Sequence, residues 1–322
     1  MALSLLQPVG NLSPAETLKL AQQAPEILRK NPRAFSASPL ISLFSVKETA
    51  DTWTMYENLM VLCLRTGNDE AARECLERIT IRFGDKHERV LALQGLFKEA
   101  TASNNAELQN ILEDYETLLR ENDANIPILK RKVALLRSLG KLPEAISALN
   151  SFLDTCPTDP EAWSELADMY VLQGLYAQAI YALEEVLVLS PNAWNIHARL
   201  GEVSLMAATS ASDGGPLKHF AEAIKRFCRS IELCDDYLRG YYGLKLATDT
   251  LLEAAPKSKK DVEGFLLPSQ ETTEKLNRAA TEKLGEIVRR NKAQEKLWQG
   301  YNAGEIAAAQ ELLASSFAKM VR

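Results

Sequence analysis

Histidine is almost missing from this chain. Three residues in 322 (His87, His197 and His219) lie in different parts of the sequence and furnish neither a metal cluster nor a general base. G-x-S-x-G, a Walker A loop, a dinucleotide-binding G-x-G-x-x-G and H-E-x-x-H are also absent. Enzymatic activity, a cofactor and a bound metal are therefore not expected. The five cysteines (63, 75, 156, 228 and 234) form no C-x-x-C and are odd in number, which reads as reduced thiols in helices of a cytosolic protein. Long apolar runs are missing too. Residues 59–64 (LMVLCL) fall far short of the ~20 residues needed to span a bilayer. The start, MALSLLQPVG, has no basic region and its apolar part stops at Pro8, so it is not read as a signal peptide. A formal charge of −6 and a pI near 5.4 argue against a general nucleic-acid binder, which would normally show a basic stripe. Only 15 Gly and 13 Pro leave room for long helices.

What is present is a repeat. Residues 160–191 (PEAWSELADMYVLQGLYAQAIYALEEVLVLSP) place Trp163, Leu166, Ala167 and Tyr170 on one helical face. Gly174 breaks the period, Tyr176, Ala179 and Leu183 begin a second face, and Pro191 closes the unit. This is the tetratricopeptide pattern, with Ala167 and Leu183 as mild substitutions. Small residues at Ala167 and Ala179 admit a close helix crossing, while Trp163, Tyr170, Tyr176 and Leu183 fill the space beside it. One such hairpin cannot bury its own apolar face, so it belongs to a stack. Leu136, Gly140, Ala145, Leu149, Phe152 and Pro157 lie 34 residues before Tyr170, Gly174, Ala179, Leu183, Val186 and Pro191. That coincidence carries the assignment: an all-α, tetratricopeptide-type α-solenoid, a right-handed superhelix of helix hairpins.

Taken in order, residues 1–50 form an N-terminal segment, weakly ordered to residue 12. One helix over 15–29 follows, with Ser13 as N-cap and Pro14 at N1. Residues 51–253 hold about five repeats and a following helix over 239–252. The second unit is degenerate, and the fifth carries an inter-helix loop over 208–216 (ATSASDGGP). A linker follows at 254–270, and 271–322 supply C-terminal helices over 271–290 and 305–320 that cap the array. His197 occupies a position usually held by Trp, which reads as a packed helix residue. The pairs Glu184-Glu185 and Asp235-Asp236 read as solvated faces.

In this repeat class the first helix of each unit lines the concave surface, so its polar positions are the candidate partner-binding residues. They are Lys130, Arg131, Lys132 and Arg137 in the third unit, and Glu161 and Asp168 in the fourth. Lys132 breaks a local rule, because a buried Leu is expected there. The cluster Lys130-Arg131-Lys132 has two readings: a solvated face whose stems snorkel to water, or a contact to an acidic partner or to anionic headgroups. On either, Lys130→Glu with Arg131→Glu should leave folding intact, whereas Ala179→Trp should disrupt its repeat by overpacking.

The segment DPEAWSELADMYVLQGLYAQAIYALEEVLVLSP, with NIHARLGEV, HFAEAIKRFCRSIEL and RGYYGLKLA in that order, resembles the family of subunit 2 of the endoplasmic reticulum (ER) membrane protein complex. The resemblance covers about residues 51–252, including the KRK cluster and the PKSKK that follows the array. It departs from the family in the loop 208–216 and at Ser204, where an aromatic is more usual. It implies a non-catalytic scaffold, peripheral on the cytosolic face of the ER membrane. There it would organise a small soluble subunit and the cytosolic parts of membrane-embedded subunits, for insertion of tail-anchored and multipass proteins. The alternatives are a co-chaperone adaptor binding acidic C-terminal peptides, and a helical subunit of a protein prenyltransferase. The mixed charge of the groove weighs against the first. The second lacks its recurrent Pro-x-Asn-Tyr and Trp-x-x-Arg elements.

Overall fold

Apolar residues spaced three and four apart, punctuated by cap residues and Gly turns, produce helices one after another. The structure, a computed structural model, describes residues 5–7, 9–10, 12–30, 49–210, 216–254, 267–298 and 300–320. Among them there is no strand. The chain divides into two units, Met1–Phe152 and Leu153–Arg322.

The first unit holds α1 (Pro14–Ala21), α2 (Ala24–Lys30), α3 (Ala50–Arg65), α4 (Asp69–Phe83), α5 (Glu88–Thr101), α6 (Asn105–Glu121), α7 (Ile126–Ser138) and most of α8 (Leu142–Thr155). The single N-terminal helix expected from sequence is two. Pro25 has no N–H to give and its ring crowds the carbonyl four residues back, so the helix stops after Ala21 and restarts at Ala24. Ser13 caps α1 as expected, in a box with Glu16 that satisfies two orphan N–H groups. The expectation of weak order before residue 12 fails at Leu5 and Val9, which are buried. Asn58 donates to the Leu5 carbonyl at 2.6 Å and Arg65 to that of Val9 at 2.8 Å, pinning this segment to α3. Arg78, itself buried, donates to the Leu28 carbonyl and the Tyr56 hydroxyl, tying α2 to α4 and α3. Tyr56, Leu59, Met60, Cys63, Cys75 and Ile79 form the core beneath. Burial pushes the thiols of Cys63 and Cys75 up to about 11 and about 12, so both are inert thiols. The expected connector over 31–45 lies outside the described residues.

The second unit holds the end of α8, then α9 (Pro160–Leu172), α10 (Tyr176–Leu189), α11 (Trp194–Ser210), α12 (Pro216–Leu233), α13 (Leu238–Ala254), α14 (Gln270–Lys292) and α15 (Ala303–Met320). Leu166 is buried, and Ala167, Ala179 and Leu183 are buried in a cluster against which Trp163, Tyr170 and Tyr176 pack. Gly174 ends α9 in the left-handed region (φ +72), so that the Leu175 N–H returns to the Tyr170 carbonyl at 2.9 Å. Pro191 is exposed. The loop expected at 208–216 begins later, because α11 runs on to Ser210 with Ala208 buried; residues 211–215 lie outside the described ones. Phe227 of α12 is fully buried between Gly201 of α11 and Gly243 of α13. A Cβ at those glycines would sit 2.9 and 2.1 Å from its ring. Residues 255–266 of the expected linker are likewise undescribed. Ala280, Leu284 and Ile287 of α14 share a core with Leu244, Ala247 and Leu251 of α13, so α14 lies against α13 as the second helix of a pair.

Candidate partner-binding surface

The basic cluster sits on α7, whose start is fixed by Pro127 and by Asn125, which accepts the Ile128 N–H at 3.2 Å. Ile128, Val133, Leu135 and Leu136 go inward, which leaves Lys130, Arg131 and Lys132 half-buried on the flanks. Each cation is met from within the chain. The ammonium of Lys130 lies 5.8 Å from the centre of the Phe152 ring. Lys132 reaches Glu116 on α6 at 3.2 Å, so its stem is largely covered and its charge is paired with a half-exposed carboxylate. Arg131 donates from Nε to Glu99 of α5 at 3.0 Å, and the same carboxylate accepts the Tyr115 hydroxyl of α6. Tyr115 reaches it by crossing α5 over Gly95, where any Cβ would collide with the phenol. Burial, and then the Glu99 hydrogen bond, push the Tyr115 phenol well above its ordinary range. Arg131 is therefore part of a three-helix staple. This geometry speaks against the expectation that Lys130→Glu with Arg131→Glu leaves folding intact, because the second change would set two carboxylates face to face in a largely covered site.

The remaining candidates fall on both units. Arg137 and Glu161 lie on exposed faces of α7 and α9. Asp168 of α9 is paired with Arg199 of α11 at 2.9 Å. This pair belongs to a pattern that sequence reading missed. Within each unit, an acid on one first helix meets an arginine on the next: Glu57 with Arg89 and Glu99 with Arg131, then Asp168 with Arg199 and Glu202 with Arg239. Sequence separations of 31 to 37 residues, about one repeat, are the signal that could have found it.

His197 occupies the Trp position of its repeat and makes the Trp bond. Trp163 donates to the Pro157 carbonyl six residues back at 2.8 Å, and His197 Nε2 lies 3.0 Å from that of Pro191, also six back. A carbonyl only accepts, so Nε2 carries the proton, and Nδ1 is left buried without a partner. Burial pushes the imidazole below its ordinary range; the Pro191 bond opposes this, and Arg226 and Arg229 add to it.

A groove of about 370 Å³ opens in the second unit between α11, α13 and α15, walled by Leu205, Met206, Tyr242 and Leu246 with Phe227 at its floor. Glu202, Arg239 and Glu305 stand along it. Among the described residues no group of three or more His, Cys, Asp or Glu could hold a metal, and no helix is long and apolar enough to cross a membrane.

Paired helices closed by Gly turns, with small residues at the crossings and a groove between first helices, define a tetratricopeptide-repeat α-solenoid. The family model described as the EMC2 TPR-like repeat domain matches residues 91–219. The chain is 35% identical over 222 residues to the TPR repeat protein oca3 of Schizosaccharomyces pombe, covering 66% of this chain and 75% of that one. It is 31% identical over 225 residues to ER membrane protein complex subunit 2-B of Xenopus laevis, covering 69% and 72%. With the Saccharomyces cerevisiae subunit 2 it shares 23% over 195 residues, covering 58% and 66%. A solved structure, the C-terminal part of a TPR repeat-containing protein from Cytophaga hutchinsonii, aligns with a TM-score of 0.49 at 14% identity, over 90% of this chain and 94% of that one. The chain belongs to the ER membrane protein complex subunit 2 family.

Proposed function

We propose that the protein is a non-catalytic scaffold subunit of an ER membrane protein complex, peripheral on the cytosolic face. There it organises a small soluble subunit and the cytosolic parts of membrane-embedded subunits for insertion of tail-anchored and multipass proteins. The observation that carries this is the likeness, over more than two thirds of the chain, to a relative named as subunit 2 of that complex. The physics supports it. A helical array with an apolar groove exchanges water for many modest contacts along an extended segment. The co-chaperone reading needs cations free to hold a carboxylate tail. Here Arg89, Arg131, Arg199 and Arg239 are each held by a carboxylate of the chain itself. Purification of the tagged protein from detergent-solubilised membranes, followed by mass spectrometry, tests the proposal. It should recover a stoichiometric set of membrane-spanning ER proteins with one small soluble subunit. Recovery of mainly heat-shock chaperones would overturn it.

A further inference from the structure

The turn after α14 displays a leucine with nothing over it. Leu297 is 92% exposed, the highest value among the large exposed hydrophobics of the described residues. The turn that carries it is closed by the backbone. Gln294 sits in the left-handed region (φ 55), a conformation more usual for Gly or Asn, and the Glu295 N–H closes back on the Arg290 carbonyl at 3.2 Å. Lys296–Trp298 then form a single 3-10 turn whose Trp298 is buried. Its indole ring has Lys283 at 5.2 Å and Arg290 at 4.8 Å from its centre.

Charge completes the feature. Arg289, Lys292 and Lys296 are exposed, and none has an ion-pair partner among the described residues. The carboxylates nearby are occupied: Glu295 lies 3.7 Å from Arg290, and Asp235 and Asp236 lie 3.3 and 3.1 Å from Lys283. In a chain of net charge −6 this tip is basic. We propose that it is a membrane-surface contact, in which Leu297 enters the headgroup layer of an anionic bilayer while Arg289, Lys292 and Lys296 hold lipid phosphates. A protein interface has a contiguous apolar centre, and Leu297 is the one large exposed hydrophobic among the described residues of α14, α15 and the turn between them. A bilayer needs no matching pocket, only an apolar residue to receive and cations to attract. The choice of lipid as the source of phosphate rests on the ER-membrane location proposed above.

The purified full chain should float with phosphatidylcholine vesicles containing phosphatidylserine and stay behind with phosphatidylcholine alone. Leu297→Ser should lower that partitioning about tenfold, and Lys292→Glu with Lys296→Glu at least as much. These side chains are exposed, so thermal unfolding should not change, and Ile81→Ser, an exposed site in the other unit, should float like the parent. No flotation, flotation on both lipid compositions alike, or flotation indifferent to the substitutions overturns the proposal. Loss of one complex subunit on Leu297→Ser with vesicle binding unchanged would assign the tip to a protein and overturn it too. Failure in flotation with the complex still recovered on the tagged chain would leave the scaffold reading standing.

Discussion

His197 shows how one side chain can satisfy a repeat and still add a liability. It replaces the indole N–H with Nε2–H, but its second nitrogen is buried and unpartnered. The unfolded imidazole titrates at about 6.5, and the folded one lies lower. Between the two values the unfolded chain binds a proton that the native chain does not. The stabilisation is therefore complete above about 6.5 and is lost as pH falls below it. Comparing urea midpoints at about pH 7.5 and about pH 5.5 should show this acid loss reduced in His197→Trp, which keeps the donor and removes the ionisation. His219 is also depressed, by burial and then by Lys218, so His219→Gln is the companion variant that separates the two contributions. Arg131 is the second residue-scale test. Arg131→Glu should destabilise by about 3 kcal/mol, since it leaves Glu99 covered and opposed. Lys130→Glu, which gives up the contact with the Phe152 ring on a half-buried flank, should cost less than Arg131→Glu. Equal urea midpoints for the two variants would remove Arg131 from the staple. Neighbouring cations that looked alike in sequence thus differ in what they face, and only packing distinguishes them.

At the scale of elements, local chemistry was a good guide to where helices begin and end. Ser13 before Pro14 and Gly174 at its turn are readable because caps and left-handed turns are decided within a few residues. Pro25 is equally visible, yet the apolar period continues across it and masks the break before it. The passage of α11 through residues 208–210 escaped for the opposite reason: Ser and Thr suggest a loop, and burial of Ala208 overrides them. The closest crossings depend on pairs remote in sequence. Gly243 and Gly201 leave room for the Phe227 ring, so Gly243→Ala should destabilise by about 1–3 kcal/mol. Phe227→Leu in the same chain should recover part of that loss in a double-mutant cycle of thermal unfolding. Strict additivity of the two substitutions would mean that the ring and the Cβ do not meet.

For the molecule as a whole, the tetratricopeptide class was legible from residues 126–191 alone, because a 34-residue coincidence of small, aromatic and turn positions follows from a hairpin that must stack. The candidate surface was less so. Its cations were selected by their positions on first helices, and the structure provides Arg131, Lys132 and Asp168 with partners on neighbouring helices. The basic tip at Leu297 went unread, since a leucine between lysine and tryptophan in sequence suggests core rather than display. The sequence by itself determined the helices, their caps, the repeat and hence the class, all of which arise from interactions within a turn or a hairpin. Tertiary structure alone decided which charges are spent between helices, which glycines make room for a ring, and which leucine faces outward. Those outcomes depend on what lies a repeat or more away along the chain, and burial and pairing are properties of neighbours in space.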